Sequence, residues 1–360
     1  MIKRRKTRQI RVGGVRIGAG APISIQSMTK VETADVHSIV AQIKRLEEAG
    51  CEIIRVAVKT LDDADAIRAI KRRIKIPLVA DIHFDYRLAL RAIAAGADKI
   101  RLNPGNIRKQ EEIAAVIKAA KKARIPIRIG VNSGSVVTRS PGSQVTSYQK
   151  NDAAALVESA LRYVKLFEKH DFRDIIISLK SSDVVSTVEA YEAVSKRCDY
   201  PLHLGVTAAG PYDAAIVKSS IGIGALLLKG IGDTIRVSLT ADPVEEVVAA
   251  KRILSAIGAR KFGHEIISCP TCGRCQVDLV KIVEEIEGRV TRFPGHQVTR
   301  PLRIAIMGCE VNGPGEAREA DVGIAFGKDS GMLFKKGKIF KKIPSAKAVN
   351  ELLKLVTGNW

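Results

Sequence analysis

The sequence predicts a (β/α)8 barrel of the TIM type followed by a smaller α+β domain built around a metal centre. Three observations carry this expectation. Eight aliphatic strand patterns alternate with eight amphipathic helix patterns over about 230 residues, which suits a closed barrel. Polar and cationic residues gather towards the ends of those strands. Beyond the last helix, Cys269, Cys272, Cys275 and Cys309 fall in two Gly/Pro-rich turns.

A short basic hairpin, Arg8 to Ile17, precedes the alternation. Ile23–Met28 reads as the first strand, and Asp35–Ala49 as its helix, with apolar residues at helical spacing and Gly50 as the stop. The next pairs are Ile53–Val58 with Leu61–Lys71, Pro77–His83 with Arg87–Ala95, and Lys99–Asn103 with Gln110–Ala123. They continue as Ile127–Asn132 with Ala153–Lys169, and Asp174–Lys180 with Val184–Lys196. Leu202–Val206 with a helix near Asp213–Ser220, and Thr234–Leu239 with Pro243–Ala256, complete the set. Strand order is not written in a sequence, so an open doubly wound sheet is the alternative.

The strands carry unusual cargo. Gln26 lies on the first and Arg55 inside the second. Asp81 and His83 end the third, two apart and so on one face. Arg101 and Asn103 end the fourth; Arg128, Gly130 and Asn132 the fifth; Lys180 the sixth. Arg236 and Ser238 lie two apart on the eighth. A cation among aliphatic residues is costly unless paired, and Asp81 is the main carboxylate on these strands. In a barrel such residues converge on the C-terminal mouth, where active sites lie. Convergent Arg and Lys side chains predict a multiply anionic ligand, a phosphate or diphosphate. His83 beside Asp81 reads as functional rather than as a core histidine.

The linker Ile257–His264 leads into the second domain, giving domains 1–258 and 265–360. There, Glu265–Ser268, Arg303–Met307 and Asp321–Phe326 read as strands, Met332–Phe340 as a hairpin, and Val277–Glu287 and Ala346–Val356 as helices. Cys269-Pro270-Thr271-Cys272 turns two thiols towards one centre, Cys275 follows three residues on, and Cys309 is followed seven residues later by Glu316. Five candidates compete for four ligand positions. With Cys275 the set resembles half of a ferredoxin run; without it, three thiolates are joined by Glu316 or an exogenous group, leaving one iron able to meet a substrate oxygen. Zinc is also compatible with these donors. Cys51 and Cys198 read as core thiols.

Composition narrows the partners. The 360 residues are 46% hydrophobic but only 4% aromatic, so the core is aliphatic. The net charge of +21 raises nucleic acid, but the basic residues are dispersed and no nucleic-acid-binding motif appears. No membrane span is expected. The basic start, Met1 to Lys6, has no apolar segment behind it, and with metal-spaced thiols the expectation is a cytoplasmic protein.

Five motifs in this order resemble the 4-hydroxy-3-methylbut-2-enyl diphosphate synthase family of the non-mevalonate isoprenoid pathway. They are Ala80-Asp81-Ile82-His83-Phe84-Asp85-Tyr86, Arg101-Leu102-Asn103-Pro104-Gly105-Asn106, Gly232-Asp233-Thr234-Ile235-Arg236-Val237-Ser238-Leu239, Cys269-Pro270-Thr271-Cys272-Gly273-Arg274, and Gly308-Cys309-Glu310-Val311-Asn312-Gly313-Pro314-Gly315-Glu316. The resemblance covers nearly the whole chain. It implies a TIM barrel joined to an iron–sulfur domain like that of sulfite and nitrite reductases. It implies a 4Fe–4S cluster on Cys269, Cys272, Cys309 and Glu316, with Cys275 not a ligand, and a head-to-tail homodimer. The substrate would be 2-C-methyl-D-erythritol 2,4-cyclodiphosphate, opened and dehydrated with two electrons from flavodoxin or ferredoxin. Arg55, His83, Arg101, Arg128, Asn132, Lys180, Arg236 and Ser238 would hold it, Asn312 would reach it from the cluster side, and Asp81, His83 and Glu316 would serve the chemistry. One position departs: the family's usual Gly-Val-Thr-Glu-Ala-Gly reads Gly205-Val206-Thr207-Ala208-Ala209-Gly210 here, so a carboxylate is missing after the seventh strand.

Overall fold

A computed structural model of the chain describes residues 2–103, 107, 109–133, 152–291, 301–311 and 313–357. These divide into two units, Met1–Arg260 and Lys261–Trp360.

The first unit opens with a two-stranded antiparallel hairpin, β1 (Ile10–Val12) and β2 (Val15–Ile17). Eight parallel strands follow: β3 (Ser24–Met28), β4 (Ile53–Val58), β5 (Leu78–Ile82), β6 (Lys99–Leu102), β7 (Ile127–Asn132), β8 (Ile175–Lys180), β9 (His203–Leu204) and β10 (Thr234–Ile235). Their order is β8-β7-β6-β5-β4-β3-β10-β9, and a parallel bridge from Ile177 on β8 to Leu202 beside β9 closes the circle. This is a barrel, not the open sheet that was the alternative.

Local chemistry sets the helix ends. In α1 (Val36–Ala49), Asp35 accepts from the Ser38 amide and Gly50 takes the left-handed turn at φ +91°. In α2 (Leu61–Lys71), Thr60 and Asp63 form a reciprocal capping box. Asp85, Asp183 and Asp242 cap α3 (Tyr86–Ala95), α6 (Val184–Ser195) and α8 (Pro243–Ala256) by accepting from the Arg87, Ser186 and Val244 amides. The ring is completed by α4 (Gln110–Ala123), α5 (Asp152–Lys169) and α7 (Tyr212–Leu228).

The hairpin is a plug. Ile10, Val12 and Ile17 are buried against Ile53, Val79 and Ile176, each the first or second residue of its strand. The N-terminal end of the barrel is therefore sealed, and a ligand enters from the other end. A strap before the plug ties it down: the Arg5 amide donates to the Gly230 carbonyl, and Arg4 pairs with Asp233 at 3.1 Å.

α7 runs well past the expected Ser220. Gly222 and Gly224 lie inside the extension, and a Cβ on Gly222 would be 2.9 Å from Val206 Cγ2. That glycine lets helix and strand approach closely; it does not end the helix. The last two strands are shorter than expected, so Val206, Arg236 and Ser238 lie just beyond the ladder.

The second unit is a five-stranded sheet of β11 (Glu265–Ser268), β12 (Arg303–Met307), β13 (Val322–Phe326), β14 (Ser330–Lys335) and β15 (Lys338–Pro344), in that order. The first three are parallel; β14 and β15 are antiparallel neighbours. Helices α9 (Leu279–Thr291) and α11 (Ala348–Thr357) pack on one face through Leu279, Ile286, Leu352 and Leu355. On the other, Ala317 of α10 (Gly313–Arg318) meets Ala305, Met307 and Phe334. That helix was not expected, because Gly313-Pro314-Gly315 reads as a loop.

Candidate active site

The barrel lumen is lined by charge. Asp81 on β5 lies between two guanidiniums: Arg101 Nη1 is 3.1 Å from Oδ1, and Arg55 Nε is 3.6 Å from Oδ2. Arg101 also donates from Nη2 to the Gly130 carbonyl at 3.2 Å, and a Cβ on Gly130 would stand 2.6 Å from Arg101 Nε. Glycine at 130 is thus the space that the Arg101 side chain occupies. Arg55 Nε reaches Met28 Sδ at 3.1 Å. All three charged residues are buried.

Burial pushes the Asp81 carboxyl up, but the Arg55 and Arg101 guanidiniums outweigh it and hold the acid down at about 2. Burial pushes Arg55 down to about 9. Because Asp81 titrates below its unfolded value near 3.9, its contribution is complete above that pH and is lost as pH falls through about 2. The expected result is a barrel whose stability falls between about pH 4 and pH 2, by about 2 kcal/mol from this group. Asp81→Asn should flatten that part of the curve and lower stability at neutral pH. Unfolding midpoints against pH for both proteins check this.

A second pair was missed in the sequence. Glu246 of α8 is buried and receives Arg236 through Nη2 to Oε1 at 3.2 Å and Nε to Oε2 at 3.3 Å. Ser27 Oγ at 3.0 Å and the Leu239 amide at 3.3 Å donate to it as well. The signal was present: Pro243, Glu246, Ala250 and Ile253 fall on one helical stripe, otherwise apolar and buried.

Deeper in the barrel, the arrangement departs from the expected ends of strands. Arg128 is the second residue of β7, 1% exposed, with Nε and Nη1 finding no partner among the described residues. Lys99 at the start of β6 is fully buried and donates to Gln26 Oε1 at 3.3 Å. His203 on β9 is fully buried, and neither ring nitrogen has a protein partner among the described residues. Burial first, and neighbouring cations second, push Arg128, Lys99, Lys180 and His203 well below their ordinary values. Lys99 and His203 went unread as site residues; the lysine shares a period-two face with Arg101, which was the available clue.

Asn132 and Lys180 end β7 and β8 in register with each other, and Lys180 is buried. His83 lies one residue past β5, half-buried, near enough to lower Asp81 electrostatically. Ser238 is half-buried beyond β10. Ala208 is exposed in the loop after β9, at φ +48°. Among the described residues, Arg55, Lys99, Arg101, Arg128, Lys180 and Arg236 face two carboxylates, Asp81 and Glu246. An anionic ligand would balance that surplus.

In the second unit, Cys269 follows β11 and Cys309 follows Gly308 at the end of β12, so both open from the same end of two adjacent parallel strands. The Gly308 amide donates to Cys269 Sγ at 3.3 Å. Cys272 is exposed, and its carbonyl accepts from the Cys275 amide at 2.8 Å, with Thr271 left-handed at φ +56°. Cys275 turns elsewhere: its thiol donates to the Val277 carbonyl at 3.2 Å, and a Cβ on Gly308 would lie 2.4 Å from its sulfur. Among the described residues, no three His, Cys, Asp or Glu side chains are gathered tightly enough to hold a metal ion. Asn312 lies outside the described residues; Glu316 is on α10, with its side chain outside them.

The GcpE TIM-barrel domain matches residues 7–251, and the GcpE protein C-terminal domain matches residues 265–358. The 4-hydroxy-3-methylbut-2-en-1-yl diphosphate synthase (flavodoxin) of Caldanaerobacter subterraneus subsp. tengcongensis is 55% identical, covering 98% of this chain and 98% of its own. Its namesake from Clostridium perfringens is 54% identical over 99% of each chain, and that of Bacillus subtilis 52% identical over 98% of this chain and 91% of its own. Among solved structures, a dihydropteroate synthase from Stenotrophomonas maltophilia superposes with a TM-score of 0.53 at 16% identity, covering 71% of this chain and 100% of that one. At that identity the likeness is one of fold alone.

Proposed function

The chain belongs to the GcpE family over both of its units, and from that premise we propose that it is a 4-hydroxy-3-methylbut-2-en-1-yl diphosphate synthase. It converts 2-C-methyl-D-erythritol 2,4-cyclodiphosphate to 4-hydroxy-3-methylbut-2-enyl diphosphate, with flavodoxin as electron donor. Counted with the phosphates protonated, two electrons and two protons are taken up. The ring bond from the methyl-bearing carbon to its phosphate oxygen breaks, the neighbouring hydroxyl leaves as water, and a carbon–carbon double bond forms. The observation that carries this reading is the surplus of buried cations in the lumen, which matches a cyclic diphosphate.

Arg55, Arg101, Arg128, Lys180 and Arg236 bind the diphosphate oxygens, with Asn132, Ser238 and His83 at the rim; Asn312, outside the described residues, is a proposed substrate contact on the family resemblance alone. Asp81, held at about 2 between two guanidiniums, orients Arg55 and Arg101 and is poorly suited to donating a proton. His83, half-buried past β5, is better placed to exchange protons with solvent. The sealed floor leaves the C-terminal mouth as the way in.

The thiols of Cys269, Cys272 and Cys309 fit an iron–sulfur group. They are soft donors in loops off adjacent strands, and the Gly308 amide already points at one sulfur. With Glu316 they would hold a 4Fe–4S cluster, which would supply one-electron chemistry at low potential. On the family resemblance, it is placed as a cytoplasmic homodimer. No helix among the described residues is long and apolar enough to cross a membrane.

The test is anaerobic purification, an iron count, and conversion of the cyclic diphosphate with reduced flavodoxin. Zinc in place of iron, or no product, overturns the reading. Arg128→Ala and Lys180→Ala should each weaken substrate binding about 10- to 100-fold, since a charge-assisted contact is worth roughly 1.5–3 kcal/mol. Calorimetric titration with the cyclic diphosphate checks this, and unchanged affinity in both variants would remove the phosphate site from the lumen.

A further inference from the structure

The sheet of the second unit ends in an edge strand of unusual make-up. β15 reads Lys338-Ile339-Phe340-Lys341-Lys342-Ile343-Pro344, and all but Ile343 are exposed. Lysines alone would be ordinary protection of a sheet edge against pairing with another chain. Ile339 and Phe340 are not: they stand 59% and 53% exposed between those lysines, a placement that protection against association would avoid. A register shift at Leu333/Phe334 leaves Phe340 as the extra residue of a bulge, and the Lys335 ammonium lies 5.6 Å from its ring centroid. Lys338 is in register with Lys335, placing like charges opposite each other, at a cost to the hairpin. Among the described residues neither Lys338 nor Lys342 has a carboxylate partner, whereas Lys341 reaches Glu351 at 3.3 Å.

The register ties this edge to the thiols. Met307 pairs with Ala325, Ala325 with Met332, and Met332 with Lys342, so one rung crosses from β12 to β15. Met307 directly precedes Gly308 and Cys309. Three strand spacings put the edge about 14 Å from the strand that delivers Cys309. β15 also runs in the same direction as β11 and β12, so Lys341 and Lys342 sit towards the sheet end from which Cys269 and Cys309 open.

We propose that the exposed edge of β15, with Lys338, Lys341 and Lys342 around Ile339 and Phe340, is the docking face for an acidic, flavin-carrying electron-transfer protein. The inference rests on the functional reading above, in which flavodoxin is the donor. Charge complementarity selects the partner: the strand carries three lysines and no acid. The apolar pair supplies the small dry centre that a transient redox complex needs. Each reduced carrier is oxidised as it passes electrons to the cluster domain, and two electrons are used per substrate.

The experiment uses the cluster-loaded full chain, the double variant Lys338→Glu/Lys342→Glu, and Phe340→Ala. Turnover is measured with reduced flavodoxin over a range of salt, and separately with reduced methyl viologen, a small dye that needs no docking face. The expected result for the double variant is a KM for flavodoxin raised about tenfold, with a flattened salt dependence and an unchanged viologen-driven rate. Phe340→Ala should raise the KM without altering the salt dependence. A KM and salt dependence equal to the parent's in the double variant overturn the docking face. If the parent turns over with neither donor, the functional reading has failed. Calorimetric binding of flavodoxin to parent and double variant then decides the docking face: weaker binding to the variant supports it, and equal binding or none to the parent overturns it.

Discussion

Serine at Cys269, Cys272 or Cys309 abolishes the cluster and with it turnover, while Cys275→Ser leaves the iron content nearly unchanged. The three thiols stand in loops at one end of the sheet, and a serine oxygen is a hard donor that does not replace thiolate on iron. Cys275 is differently placed. Its sulfur packs under Gly308 and donates to the Val277 carbonyl, a bond that a hydroxyl can also make. Its replacement therefore costs stability of order 1 kcal/mol rather than iron. Iron per chain and the visible absorption of the four variants, purified without oxygen, check this. A large iron loss in Cys275→Ser would show that the fourth ligand is a thiolate, and the exchangeable position would vanish.

Ala208→Glu raises turnover by about 10²–10⁴-fold with little change in substrate affinity. Loss of a hydroxyl as water needs a proton, and the methyl group of Ala208 can give none. The Thr207 amide anchors the loop that follows β9 to the Ser181 carbonyl at 3.1 Å, directly after the buried Lys180. Ala208 is exposed in that loop. Its left-handed backbone, at φ +48°, is no more strained with glutamate than with alanine, so the variant should fold. Asp81 does not take over the task, because its carboxyl stays ionised between Arg55 and Arg101. Single-turnover rates at equal cluster loading are the measurement. Equal rates in the two proteins would place the proton elsewhere, with His83 the first alternative.

The alternation of strand and helix was legible because barrel strands are short and aliphatic and their helices are capped by local chemistry, as at Thr60 and Asp63. The cations were legible because an arginine inside a run such as Ile53–Val58 has no ordinary place there. Depth was not. Arg128 and Asn132 share one face of β7, and only the register of neighbouring strands shows that one is near the floor and the other near the rim. Glu246 was overlooked for a different reason: a helix in the outer ring carries many acids, and its place on the apolar stripe with Pro243, Ala250 and Ile253, which sets it apart from Glu245, went unused. α7 runs past its expected end at Ser220 through Gly222, a residue poor in helix propensity whose small size serves close contact with Val206.

The ring closes between distant parts of the chain. Ser24 on β3 is in register with Thr234 on β10, and the strap beneath it binds Gly230 and Asp233. A chain emerging from the ribosome therefore presents β3 with one edge unpaired until β10 has been made. At about 5–20 residues per second that wait lasts roughly 10–40 s. Over that time an aliphatic strand edge is open to other nascent chains, and the plug has an incomplete floor to seal. A fragment stopped after α6 would carry six of the eight strands and still lack the partner that β3 requires. The barrel is thus a late, all-or-none event in the life of the polypeptide, and its earliest strand is the one most in need of a chaperone.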